Sequence, residues 1–151
     1  MTRAEFEAIL ADQTKRIVGD VVWRKPDDGH RQALAFRVDV HNAVDYPLIV
    51  NGWYNPLVPS LSIALIHRAV GRIYGLCIGR EHHNPTCSNV GADVHKHAWS
   101  DATRDKHAYR PADISATADT PVLALREFFE EANIRLEGSI AAIPPRQSTL
   151  F

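Results

Sequence analysis

The sequence predicts an α+β fold, in which an antiparallel, meandering β-sheet packs against an N-terminal and a C-terminal helix. Two kinds of hydrophobic periodicity carry this prediction. Apolar and polar residues alternate over residues 33–41, which is typical of a strand with one buried face. Near both ends of the chain, apolar residues instead recur at helical spacing. No repeat or linker divides the sequence, so we expect a single domain over residues 1–151.

The first helix is predicted from its capping residues. Thr2 followed three residues later by Glu5 matches a capping box, in which each side chain bonds the other residue's backbone N–H. Phe6 and Ile9 then begin an apolar stripe, and the helical pattern lasts until about Asp12.

The middle of the chain predicts a series of strands. In the segment ALAFRVDVH, the four apolar side chains at even positions share one face, and we expect a helix to bury them: Leu34, Phe36, Val38 and Val40. The other predicted strands are Arg16–Arg24, Pro47–Tyr54, Ser60–Arg68, Arg72–Gly79, Val94–Trp99 and Lys106–Arg110.

The second helix is predicted over residues 121–133. Thr120 is a suitable N-cap, and Pro121 suits the first helical turn because its fixed φ is already helical. Leu125 and Phe129 lie four residues apart and belong to the stripe that we expect to face the sheet.

Composition excludes several classes of protein. The chain has 45% hydrophobic and 23% charged residues, which is ordinary for a globular protein and not for a disordered one. A formal net charge of -1 provides no overall attraction to nucleic acid, and two cysteines are too few for a disulfide scaffold. The N-terminus does not read as a signal peptide, and no stretch is long enough for a membrane span. We therefore expect a cytoplasmic protein without a membrane partner.

The most unusual feature is a concentration of histidines. The chain has eight, and five of them fall within 26 residues: His82, His83, His95, His97 and His107. His95 and His97 lie two apart in a predicted strand, so their side chains share a face, roughly 6.5–7 Å apart along the chain. Two imidazoles at that separation can bind one metal ion, with His82, His83 or Cys87 from the preceding loop as a further ligand. The ion would be Zn²⁺ or another divalent transition metal.

These residues leave the reaction open. Three protein ligands with one open position are typical of a catalytic zinc site, whereas four ligands indicate a structural one. In a catalytic site, His82, His95 and His97 would hydrolyse a phosphodiester or similar bond, using metal-activated water or paired imidazoles as general acid and base. The substrate would be a small molecule or RNA. The alternative is a non-enzymatic binding or regulatory module, of a phage-related or toxin–antitoxin type, in which the histidines are structural.

The motif resembles an uncharacterised family of small bacterial proteins whose members read like HRNPDG…GPHLH…DKWAYPL. The matching positions are His82, Asn84, Pro85, Gly91, His95, His97, Asp105, Lys106, Ala108 and Tyr109. The resemblance implies that His82, and not His83, accompanies the H-x-H pair, because the family pattern has Arg at the position of His83. Cys87 lies in a segment where this sequence departs from the family's short turn. The resemblance implies no reaction.

A homodimer is a further expectation from the sequence. Apolar side chains lie among turn residues in NGWYNPLVPS, and an exposed apolar patch there would suit a second copy of the chain. The residues concerned are Trp53, Tyr54, Leu57 and Val58.

Overall fold

A computed structural model of the chain describes residues 1–27, 33–80, 82–83, 89–90 and 94–143, with the backbone alone at 82–83 and 89–90. Helix α1 spans Arg3–Ala11, and the predicted capping box between Thr2 and Glu5 is present. Helix α2 spans Pro121–Glu131 with the proline in its first turn. Thr120 does not cap it through its side chain, because that hydroxyl oxygen accepts from the Thr117 N–H and the hydroxyl donates to the Thr117 carbonyl.

Six strands form one antiparallel sheet in the order β2-β3-β4-β5-β8-β9. In the same order their bounds are Leu34–Val40, Leu48–Asn55, Ser60–His67, Gly71–Ile78, Val94–Ala98 and Ala108–Tyr109. Two short strand pairs are separate from this sheet. Strand β1 (Arg16–Val18) runs parallel to β10 (Arg135–Glu137), and β6 (His82–His83) runs antiparallel to β7 (Asn89–Val90). A sheet of this kind with two helices confirms the predicted α+β fold class.

Both helices cover the same face of the sheet. The Tyr74 ring of β5 lies 6.2 Å from the Phe6 ring of α1 and 5.5 Å from the Phe128 ring of α2, measured between centroids. Phe36 and Val40 of β2 are buried in this core. Leu34 and Val38, which share their face of the strand, are half-buried and pack against the core. The predicted burial of the alternating strand is thereby confirmed.

Neither helix in the described part of the chain has the length and apolar character needed to cross a membrane. The aromatic segment that suggested a homodimer is divided between surface and core. Leu57 and Val58 are exposed, whereas Tyr54 is buried in the core under the helices. The homodimer remains a prediction.

Candidate metal centre

Three potential metal ligands meet on the sheet face that the helices leave uncovered. Strands β5 and β8 are antiparallel neighbours, and their register places Cys77 directly opposite His95 and Gly75 directly opposite His97. Leu76 of β5 points into the core under the helices. Because side chains alternate along a strand, the cysteine and both histidines project from the other face.

The ligand atoms of Cys77, His95 and His97 all lie within 4.8 Å of one another. The two imidazole rings are 5.1 Å apart between centroids and are inclined at 71°. Donor atoms around a tetrahedral zinc ion are roughly 3.3–3.6 Å apart, given bonds of 2.0–2.3 Å. Small side-chain rotations would therefore bring all three donors onto one ion. We call this group the metal centre.

The metal centre is buried. His95 and His97 each expose 2% of their surface, and Cys77 exposes 7%. Burial raises the cost of an uncompensated charge, so a thiolate here needs a nearby positive charge or a metal ion. Among the residues that the structure describes, no other three histidine, cysteine or acidic side chains approach within ligand distance of one another.

A backbone carbonyl orients the His97 ring. The Nδ1 atom of His97 lies 2.9 Å from the carbonyl oxygen of Asp105. Because a carbonyl oxygen only accepts, Nδ1 carries the hydrogen, and in the neutral ring the lone pair is on Nε2. The carboxylate of Asp105 is in turn held by Arg72, whose Nε donates to Oδ2 over 2.9 Å. An outer partner of this type fixes the tautomer and orientation of a metal-binding histidine.

Ser62 is the hydrogen-bond partner that orients Cys77. The thiol of Cys77 donates to Ser62 Oγ over 3.7 Å, and the two residues are opposite each other in the β4–β5 pair. A hydroxyl can rotate, so the same serine can donate its hydrogen to the sulfur once the thiol is ionised. The contact therefore suits both the thiol and the metal-bound thiolate.

The opposite face of β8 carries a second polar group, centred on Lys96. This lysine has no exposed surface, and its Nζ lies 2.9 Å from both carboxylate oxygens of Asp113 and also contacts Glu131 of α2. Burial raises the pKa of Glu131, while its hydrogen bond with Asp113 lowers the pKa of Asp113. Burial likewise raises the pKa of the neighbouring Tyr74 and Tyr109 hydroxyls. This network ties α2 to the strand that holds both histidines.

The structure therefore brings together some of the predicted ligands and adds one. His95 and His97 share a face and converge, as the H-x-H spacing predicts. The backbone of His82 pairs with Val90 in the β6–β7 hairpin, but its side chain lies outside the described residues, as does Cys87. The roles of those two as ligands remain predictions.

Sequence reasoning missed Cys77, which lies in the predicted strand Arg72–Gly79 and was not among the predicted ligands. One signal was available, since Gly75 and Cys77 are small residues two apart in the strand that precedes the histidine motif. An antiparallel neighbour of the H-x-H strand with small side chains on the same face would leave room for a shared ligand site.

Comparison with models of protein families matches residues 1–134 to DUF6978, which is described as a family of unknown function. No curated protein and no solved structure matches the chain.

Proposed function

The chain belongs to the DUF6978 family of unknown function, and we propose that it is a metalloprotein that holds a zinc-like ion and uses it for hydrolysis. The observation that carries the proposal is the convergence of Cys77, His95 and His97 within ligand distance in a buried site. One sulfur and two imidazole nitrogens favour zinc over the hard, oxygen-seeking cations.

Three protein ligands leave one position of a tetrahedral ion for water. A zinc ion lowers the pKa of a bound water to about 7, which supplies hydroxide near neutral pH. In phosphodiester hydrolysis the oxygen of that water bonds to phosphorus and the bond to the leaving alcohol breaks. One proton of the water ends on the leaving oxygen, and the other is released. Cys77, His95 and His97 would hold the ion, and the ion would supply the hydroxide nucleophile.

The burial of the centre favours a second candidate, a binding module with a structural ion. Ligands with 2–7% exposure leave little room for a substrate unless the fourth position opens to solvent. If His82 or Cys87 completes the shell, as the sequence predicts, the ion is closed and fastens β5 to β8. The two candidates share the metal and differ in the fourth ligand.

The first experiment tests the metal. Protein purified without a histidine tag should contain about one equivalent of zinc, and Cys77→Ser, His95→Ala and His97→Ala should each lose most of it. His107→Ala is the matched control, because His107 belongs to the same histidine-rich segment but is exposed. Absence of metal from the wild-type protein, after incubation with zinc and dialysis, would contradict the proposal.

The second experiment separates hydrolysis from a structural role. Cobalt replacement gives a thiolate charge-transfer band that Cys77→Ser should abolish. The d–d bands should respond to added anions if the fourth position is open. An open site should also hydrolyse an activated phosphodiester, such as bis(p-nitrophenyl) phosphate, in a metal-dependent manner. Three results together would favour the structural candidate. The bands would not change when anions are added, His82→Ala or Cys87→Ser would alter them, and the protein would show no hydrolysis.

A further inference from the structure

A groove of about 660 Å³ lies on the face of the sheet that carries the metal centre. It is bounded by strands β2–β4 and by the segment that precedes β2. Backbone hydrogen bonds between Arg24 and Ala35 fasten that segment to the edge of the sheet. The polar and aromatic side chains that matter here are Arg24, Lys25, Arg37, Asn51, Trp53 and Ser62.

Two rows of paired residues run across the sheet from this groove to the metal centre. One row is Ala35, Trp53, Ser62, Cys77 and His95, and the other is Arg37, Asn51, Ala64, Gly75 and His97. The middle members of both rows are small. Because strands are about 4.8 Å apart, roughly 14 Å separates Trp53 from His95 across the sheet. Ser62 belongs to both sites, since it lines the groove and bonds Cys77.

The groove carries excess positive charge. Arg24, Lys25 and Arg37 are exposed, and none of the three forms an ion pair within the part of the chain that the structure describes. Two acids, Asp20 and Asp27, line the groove as well, so its three cations exceed its carboxylates by one. Exposed cations that have no protein anion are suited to phosphate groups.

The groove also offers an aromatic side chain and an amide beside those cations. Trp53 is half-buried in the sheet between Ala35 and Ser62. Among the described residues, no hydrogen-bond donor reaches the buried Oδ1 of Asn51. A flat aromatic group of a ligand can stack on an indole, and an amide can bond the polar edge of a base.

We propose that this groove binds single-stranded nucleic acid, with a base at Trp53 and backbone phosphates at Arg24, Lys25 and Arg37. This proposal rests on the proposed function, for which it names the substrate class. At the roughly 3.4 Å rise of a stacked strand, the distance from Trp53 to His95 corresponds to about four nucleotides. The groove and the buried metal centre lie on the same face of the sheet, so a strand bound in the groove lies about that distance from the metal ligands. Single strands fit because stacking on an indole requires an unpaired base.

The test measures binding of a fluorescein-labelled ten-nucleotide oligoadenylate by anisotropy, in RNA and DNA arms. The protein is kept in excess chelator, so that binding is measured apart from metal and cleavage. We expect Arg37→Gln and Trp53→Leu each to weaken binding about tenfold, since a stacked base or a charged contact contributes on that scale. Arg126→Gln is the control, because Arg126 is an exposed arginine of α2 on the other side of the sheet.

Several results overturn the proposal. These are no binding of either oligonucleotide at low salt, an equal loss in Arg126→Gln, or tighter binding of a duplex of the same length. Tighter binding of RNA than of DNA would indicate a contact to the 2′-hydroxyl. Equal affinities would indicate that only phosphate and base are contacted. Both outcomes support nucleic-acid binding in the groove. Failure of the metal experiment leaves this measurement intact, and failure here leaves the metal content of the protein unchanged. The two proposals are therefore distinguishable.

Discussion

Lys96 contacts Glu131 across the interface between β8 and α2, directly behind the strand residues that carry both histidines. The same strand thus faces a charged network on one side and the metal centre on the other. Anchoring β8 to the C-terminal helix fixes the strand from which His95 and His97 project. We therefore expect loss of this contact to lower the free energy of unfolding.

Replacing Lys96 with Met should lower the free energy of unfolding by about 3 kcal/mol, because the partly buried Glu131 loses its cation. Urea denaturation followed by circular dichroism measures the change. Lys106→Met is the control, since Lys106 is an exposed lysine in the same part of the chain. Equal stabilities of the two variants would show that the network contributes little.

Lys15 gives a prediction about pH. Its buried Nζ donates to the carbonyls of Ile9, Leu10 and Asp12 at the end of α1. Burial lowers the pKa of Lys15 from 10.5 to about 8. Between these values the unfolded chain binds the extra proton, so the free energy of unfolding should rise with pH from about 8 to 10.5 and fall as pH drops through 8.

Lys15→Met should lack that rise and should cost about 2 kcal/mol at pH 7, because three carbonyls lose their donor. Urea denaturation of both proteins at several pH values between 7 and 10 tests this. The difference between wild type and variant should widen with pH. Parallel stability curves would contradict the lowered pKa.

Gly52 provides a packing prediction. A Cβ atom at this position would lie 2.0 Å from Cε1 of Phe36, whose ring packs edge-on against Trp23 at 4.8 Å. Gly52→Ala should therefore lower the free energy of unfolding by about 2 kcal/mol, because the aromatic pair must shift.

The control is Gly75→Ala, where the nearest atom to the new Cβ is the flexible Arg72 Cδ at 3.2 Å. We expect a smaller loss there. Combining Gly52→Ala with Phe36→Leu should cost less than the sum of the single changes. If the losses of the two single variants simply add in the double variant, the clash does not involve Phe36.

Arg72 is a positioning residue for the metal centre, because it holds Asp105, whose carbonyl orients His97. Arg72→Gln should weaken zinc binding about tenfold while the cobalt–thiolate band persists. Competition with a chromophoric chelator measures the affinity. Arg68→Gln is matched, since Arg68 also pairs with an aspartate of the sheet region, Asp39, over 2.6 Å. An unchanged affinity for zinc in Arg72→Gln would contradict the positioning role of Arg72.

Much of the fold could be predicted from local patterns. Alternation in Leu34–Val40 and helical spacing in the segment after Thr120 each identify an element, because burial on one face imposes a period on the sequence. The shared face of His95 and His97 follows from the same geometry. The pairing of β1 with β10 was not predictable, because three-residue strands carry no period and their partners are far apart in the chain.

The sequence by itself determined that two histidines would project side by side from a strand of an antiparallel sheet. Only the tertiary structure decided that Cys77 stands beside them and that the groove at Trp53 lies on the same face. Both depend on the register between strands, which is set by the path of the connections and by burial across the whole sheet. A slip of one residue between β5 and β8 would have placed Leu76, and not the cysteine, beside His95.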